Sequence, residues 1–147
     1  MREAIFMSLA RAATAESVSA VLPYLRGDDA NLRTGALDAL RAMPTAVMPV
    51  LSDLLADADA DVRLLSCEIA RVLPPGQATP LLCRQLERET QPNVWAAIVE
   101  VLAEVADAEA LPVLARCAED FPQETFLRFS IKAAAERIAA HAGDTRG

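Results

Sequence analysis

Apolar residues return along this chain at spacings of three and four, the period of a helix with one buried side. In the clearest stretch Val62, Leu65, Ile69 and Val72 mark such a face, and Pro74-Pro75-Gly76 ends it. Short polar turns interrupt the pattern at Gly27-Asp28-Asp29-Ala30 and Asp57-Ala58-Asp59-Ala60. Helix-like runs open on similar phrases: Asn31-Leu32-Arg33, Asp61-Val62-Arg63, Asn93-Val94-Trp95 and Phe126-Leu127-Arg128. The central apolar residue recurs at intervals of 30, 32 and 33 residues, in the range of stacked helical units.

Each unit reads as a helix A followed by a helix B. In unit one Thr14 precedes helix A, and helix B covers 31–43 before Pro44. In unit two Thr45 is the expected N-cap, with helices at 46–55 and 61–73. Unit three places them at 77–89 and 93–105, with one extra residue before Pro92, and unit four at 108–118 and 122–140. The pattern predicts an all-α, right-handed α-solenoid of antiparallel helix pairs. It forms a single domain over 1–141, with a capping helix at 1–13, repeats at about 14–44, 45–75, 76–106 and 107–141, and a flexible tail at 142–147.

Met48-Pro49-Val50-Leu51, Thr79-Pro80-Leu81-Leu82 and Leu111-Pro112-Val113-Leu114 in the A helices, and Asp59-Ala60-Asp61-Val62-Arg63 entering a B helix, resemble short HEAT-like repeats, including those named after phycobilisome lyases. The resemblance covers nearly the whole chain, and the period is shorter than the roughly 40 to 47 residues of larger HEAT and armadillo units. It implies a protein-interaction scaffold or adaptor working through its B-helix face. The alternative it implies is a lyase-like or chaperone subunit that assists cofactor attachment or assembly of another protein. A third reading is a DNA-binding relative, for which Arg33, Arg63, Arg71 and Arg128 would have to converge on one groove.

Composition narrows these readings. The 147 residues are 53% hydrophobic but only 4% aromatic, so the core is built mainly from aliphatic side chains. A formal net charge of −7 argues against a nucleic-acid backbone as the main ligand. Charges interrupt every apolar run before the roughly 18 residues of a membrane span, so no membrane partner is expected. Glu3 and Arg11 flank too short an apolar segment for a signal peptide. Cys67, Cys83 and Cys117 are odd in number and suggest a reducing compartment, the cytoplasm.

Pro49, Pro80 and Pro112 are expected near the first turn of each A helix, where a missing N–H costs little. Pro23 falls inside the first A helix and predicts a kink. Asp29 and Arg33, Asp59 and Arg63, and Glu124 and Arg128 share an i to i+4 spacing, and the resemblance implies an inter-repeat ladder of such side chains. Unit three changes both members, to Gln91 and Trp95. Trp95 is therefore either a filler between repeats or a partly exposed binding anchor.

In HEAT-like arrays the outer side of the B helices faces the partner. Leu37, Cys67, Val99 and Lys132 align there beside Asp38, Glu68, Glu100 and Ala133, while Arg41 and Arg71 add positive charge toward one end. With Trp95, the candidate partner-binding set is Leu37, Asp38, Arg41, Cys67, Glu68, Arg71, Val99 and Glu100. An apolar and acidic stripe suits a basic helix or tail of another protein. Catalytic candidates are thin: the only histidine is His141, and there is no Gly-rich phosphate loop or G-x-S-x-G turn. No catalytic residue, metal or cofactor is expected. Cys67, between Arg63 and Arg71, is the one nucleophile worth naming.

Overall fold

The computed structural model describes residues 2–120 and 125–146, with side-chain surroundings for 4–119 and 126–143. All the regular structure among them is helical: α1 Arg2–Ala12, α2 Ala15–Val21, α3 Ala30–Arg41, α4 Pro44–Leu55, α5 Ala60–Ala70, α6 Pro75–Arg88, α7 Pro92–Val105, α8 Ala110–Asp120 and α9 Thr125–Arg146. A 3-10 turn, Leu22–Leu25, follows α2. The fold is an all-α helical repeat of the solenoid class. It divides into two compact units, Met1–Val72 and Leu73–Gly147.

Each unit has two helical layers. In the first, α2 packs on α4 in one layer, while α1 packs on α3 and α3 on α5 in the other. In the second, α6 packs on α8 and α7 on α9, and the pairs α6–α7 and α8–α9 close the layers together. The cores are aliphatic: Val21, Leu40, Leu51 and Ile69 in the first unit and Leu82, Ile98, Leu102 and Leu114 in the second are all fully buried.

Helix starts follow side-chain chemistry. The Thr14 hydroxyl accepts from Ser17 N at 3.0 Å. Asp29 accepts from Asn31 N and Leu32 N at 2.9 and 3.2 Å, and Asp59 from Asp61 N at 2.9 Å. Thr45 is not a cap. Proline at the first helical position starts α4 at Pro44 and α6 at Pro75, two residues earlier than expected. Pro49 and Pro80 therefore lie inside their helices rather than in the first turn, and both face solvent, where water can satisfy the freed carbonyls. Where a kink was expected at Pro23, the α-helix ends at Val21 and Pro23 lies in the 3-10 turn that follows it.

Two features had no sequence signature. Ala13 joins α1 to α2 at φ 50°, a left-handed C-cap whose N–H donates to Leu9 O at 3.0 Å. Gly35 on α3 allows the Phe6 ring of α1 to approach so closely that a Cβ there would lie 2.9 Å from Phe6 Cδ2. Phe6 in turn meets Tyr24 edge-on, with ring centroids 5.2 Å apart. At the other end, residues 142–146, expected as a tail, continue α9 to Arg146. The Ala-rich run Ala133-Ala134-Ala135 and Ala139-Ala140 favours helix there.

Candidate partner-binding surface

Arg33 and Arg63 both hold the turn that precedes their helix. Arg33 donates to Gly27 O at 2.7 Å rather than pairing with Asp29. Arg63 donates to Asp57 O and Ala58 O at 2.8 and 3.2 Å. Each guanidinium thus reaches back along its helix and ties down the carbonyls of the turn before it, while Asp29 and Asp59 serve as N-caps. The third expected pair includes Glu124, which lies outside the described residues, as does Pro122.

The tie between consecutive repeats in the first unit comes from a residue the motif did not flag. Arg26 makes a bidentate ion pair with Asp57, one arm being Nη1 to Oδ1 at 3.0 Å. Asp57 Oδ1 also accepts from Asp59 N at 2.9 Å. The Arg26 hydrogen bond, helped by Asp59 N–H and the charge of Arg63, holds the Asp57 carboxyl below its usual range despite partial burial. In the second unit Thr79 Oγ1 accepts from Asp107 N at 3.2 Å, and Arg116 pairs with Glu87 at 2.8 Å.

Trp95 is 1% exposed, a core side chain and not the partly exposed anchor of the second reading. It occupies the register position of Arg63, one residue after the first buried valine, Val94 in α7 and Val62 in α5. An arginine there stretches along the seam to the turn; tryptophan fills the seam. The turn before Trp95 has its own solution, because Glu89, itself buried, accepts from Thr90 N and Gln91 N at 3.1 and 3.0 Å and from Gln85 Nε2 at 3.0 Å. Those bonds fix the turn itself, while Gln91 gives the first turn of α7 no side-chain cap.

Cys67 and Val99 are also in the core, 0% and 2% exposed, and neither offers a surface. Cys67 Sγ–H donates to Arg63 O at 3.4 Å, a packed thiol rather than a nucleophile. Cys83 and Cys117 are buried too, and burial pushes the Cys83 thiol up to about 11. What reaches solvent from the candidate set is Asp38 and Glu100, both exposed, with Leu37, Arg41, Glu68 and Arg71 half-buried. Arg71 bridges Glu68 at 3.1 and 3.2 Å. Arg33, Arg63 and Arg71 are thus occupied within the first unit rather than gathered as a phosphate-binding cluster.

A concave feature absent from the sequence reading lies in the second unit, a groove of about 480 Å³ between α8 and α9. Leu111, Ala115 and Ala118 line it from α8, and Arg128, Phe129, Ile131, Lys132 and Ala135 from α9. Among the described residues no group of three or more His, Cys, Asp or Glu is placed to hold a metal. None of the described helices is long and apolar enough to cross a membrane.

Paired helices in two layers, capped turns and open side-chain rows define an α-helical repeat protein. The sequence profile of HEAT repeats matches residues 47–135, more than half of the chain. The chain belongs to the HEAT-repeat family. No curated protein and no solved structure matches it.

Proposed function

We propose that the chain is a protein-interaction scaffold or adaptor whose outer B-layer side chains receive the partner. The supporting observation is in the first unit, where α3 and α5 pack side by side. Leu37, Asp38 and Arg41 on α3 and Glu68 and Arg71 on α5 keep solvent access there, while Cys67 is withdrawn into the core. Asp38 and Glu68 in the first unit favour a basic helix or tail through charge steering beside Leu37, and Glu100 by itself adds exposed acidic charge to the second unit. The short period supports the phycobilisome-lyase-like subtype of repeat, and three free cysteines support a reducing, cytoplasmic setting.

The test is a fluorescence-anisotropy titration of the full chain with a labelled amphipathic peptide carrying lysines beside a leucine stripe. The triple variant Asp38→Lys, Glu68→Lys and Glu100→Lys is expected to weaken binding about tenfold or more, with far-UV circular dichroism unchanged. Undiminished binding by the triple variant, or no binding by the native chain, overturns the assignment.

A further inference from the structure

The α8–α9 groove has a counterpart elsewhere in its own unit. On α7 the flank next to the buried stripe carries Trp95 and Val99, both buried, and the B-layer neighbour of α7 is α9. In the same register α9 carries Arg128 and Lys132. Both are exposed, and both line the groove. The side of a B helix that is closed in α7 is therefore open in α9, and α8 supplies the second wall. The repeat geometry has built a seat for a helix.

The lining specifies the occupant. Leu111, Ala118, Ile131 and Ala135 give it an apolar interior, and Phe129, 70% exposed, stands on its rim. Among the described residues, the charged side chains that line it, Arg128 and Lys132, are both basic, in a chain whose net charge is −7. Seven residues separate Leu111 from Ala118 and Arg128 from Ala135, so the seat is about 10 Å, or two helical turns, long. We propose that this groove docks a short amphipathic helix of another protein that carries Glu or Asp beside its apolar stripe. Apolar side chains at i, i+4 and i+7 of that helix enter the groove, and its carboxylates meet Lys132. This seat is distinct from the acid-lined B-layer surface and selects the opposite charge.

Lys132 is the only lysine in the chain, which supplies a direct probe. The full chain, reductively ¹³C-methylated on its amines, is titrated with a labelled helical peptide bearing leucines at i, i+4 and i+7 flanked by glutamates. The Lys132 dimethylamine resonance should shift on titration, and anisotropy should show saturable, salt-sensitive binding. Lys132→Glu should weaken the acidic peptide about tenfold or more and improve a lysine-for-glutamate version of it. Ala115→Trp, which fills the groove from an exposed position, should abolish binding without changing helical content. An acidic peptide that leaves the Lys132 resonance unmoved, retention of acidic-peptide binding by Ala115→Trp, or failure of the acidic peptide to bind overturns the proposal. Sedimentation showing native self-association that Ala115→Trp abolishes would give the groove to a second copy instead. Binding of anionic vesicles without peptide binding would give it to a lipid surface, and either result also overturns the proposal.

Discussion

Replacing Trp95 by alanine removes an indole that is 1% exposed from the α7 seam. A buried aromatic of this kind hides roughly 200 Å², and at about 25 cal/mol per Å² its transfer is worth about 5 kcal/mol, part of which the remaining methyl keeps. Adding the cavity term and allowing for partial collapse places the expected loss at about 3–5 kcal/mol. Against a typical total of about 5–15 kcal/mol, that is a large fraction of the stability of a domain. Trp95 is the only tryptophan, so the variant is followed by urea denaturation with far-UV circular dichroism, and native burial by acrylamide quenching of the unmodified chain. Trp95→Phe keeps most of the ring and should lose much less. A Trp95→Ala variant within about 1 kcal/mol of the native chain, a loss typical of average point substitutions, would refute the packing reading. Free access of acrylamide to Trp95 in the folded state would refute it as well.

Gly35→Ala should lower stability although alanine is the better helix former by about 1 kcal/mol, because the new Cβ meets the Phe6 ring at 2.9 Å. In a Phe6→Leu background the same change should become neutral or stabilising, which thermal denaturation of the double-mutant cycle measures. Asp57 has its carboxyl held below the ordinary 3.8 in the folded state, so its contribution is complete above the unfolded value and fades as pH falls through the lower folded one. The stability gap between the native chain and Asp57→Asn, taken from urea midpoints, should therefore be open at neutral pH and close below about pH 3.8; a gap that widens on acidification contradicts the sign. Cys67, Cys83 and Cys117 are all buried, so intact-mass measurement after iodoacetamide treatment at neutral pH should show little labelling until denaturant is added.

How much was legible depended on the range of the interaction. Turns at Gly27-Asp28-Asp29 and Asp57-Ala58-Asp59 and the apolar period of α5 are local signals, and they placed the B helices to within a few residues. Thr45 misled because Pro44 outranks it as a helix start. The arginine repeat was visible, but its partners were not: i to i+4 spacing suggested Asp29, whereas Arg33 has the reach to extend to Gly27 O. Val99 was placed on the partner-facing row, and Trp95 left between filler and exposed anchor, because aligning the B helices gives their register but not which neighbouring helix covers each position. In the unit α7 packs against both α6 and α9, so its buried arc is wider than a single amphipathic stripe. Apolar residues at 94, 95, 98, 99, 101 and 102 carry that signal. Arg26 with Asp57 and Phe6 with Gly35 join distant segments, and neither pair has a local pattern.

The chain by itself therefore determined the helical class, the period and the register that makes Arg33, Arg63, Trp95 and Arg128 equivalent, because helix periodicity and turn chemistry act over a few neighbouring residues. Tertiary structure decided which of those equivalent positions are drawn inside and which stay exposed to solvent. Arg33 and Arg63 cap turns, Trp95 fills a seam, and Arg128 lines a groove, since solvent access depends on the neighbouring helix and not on the residue's own place in the repeat. The same packing withdrew Cys67 and Val99 from the expected binding row and left Asp38, Glu68 and Glu100 in reach of solvent.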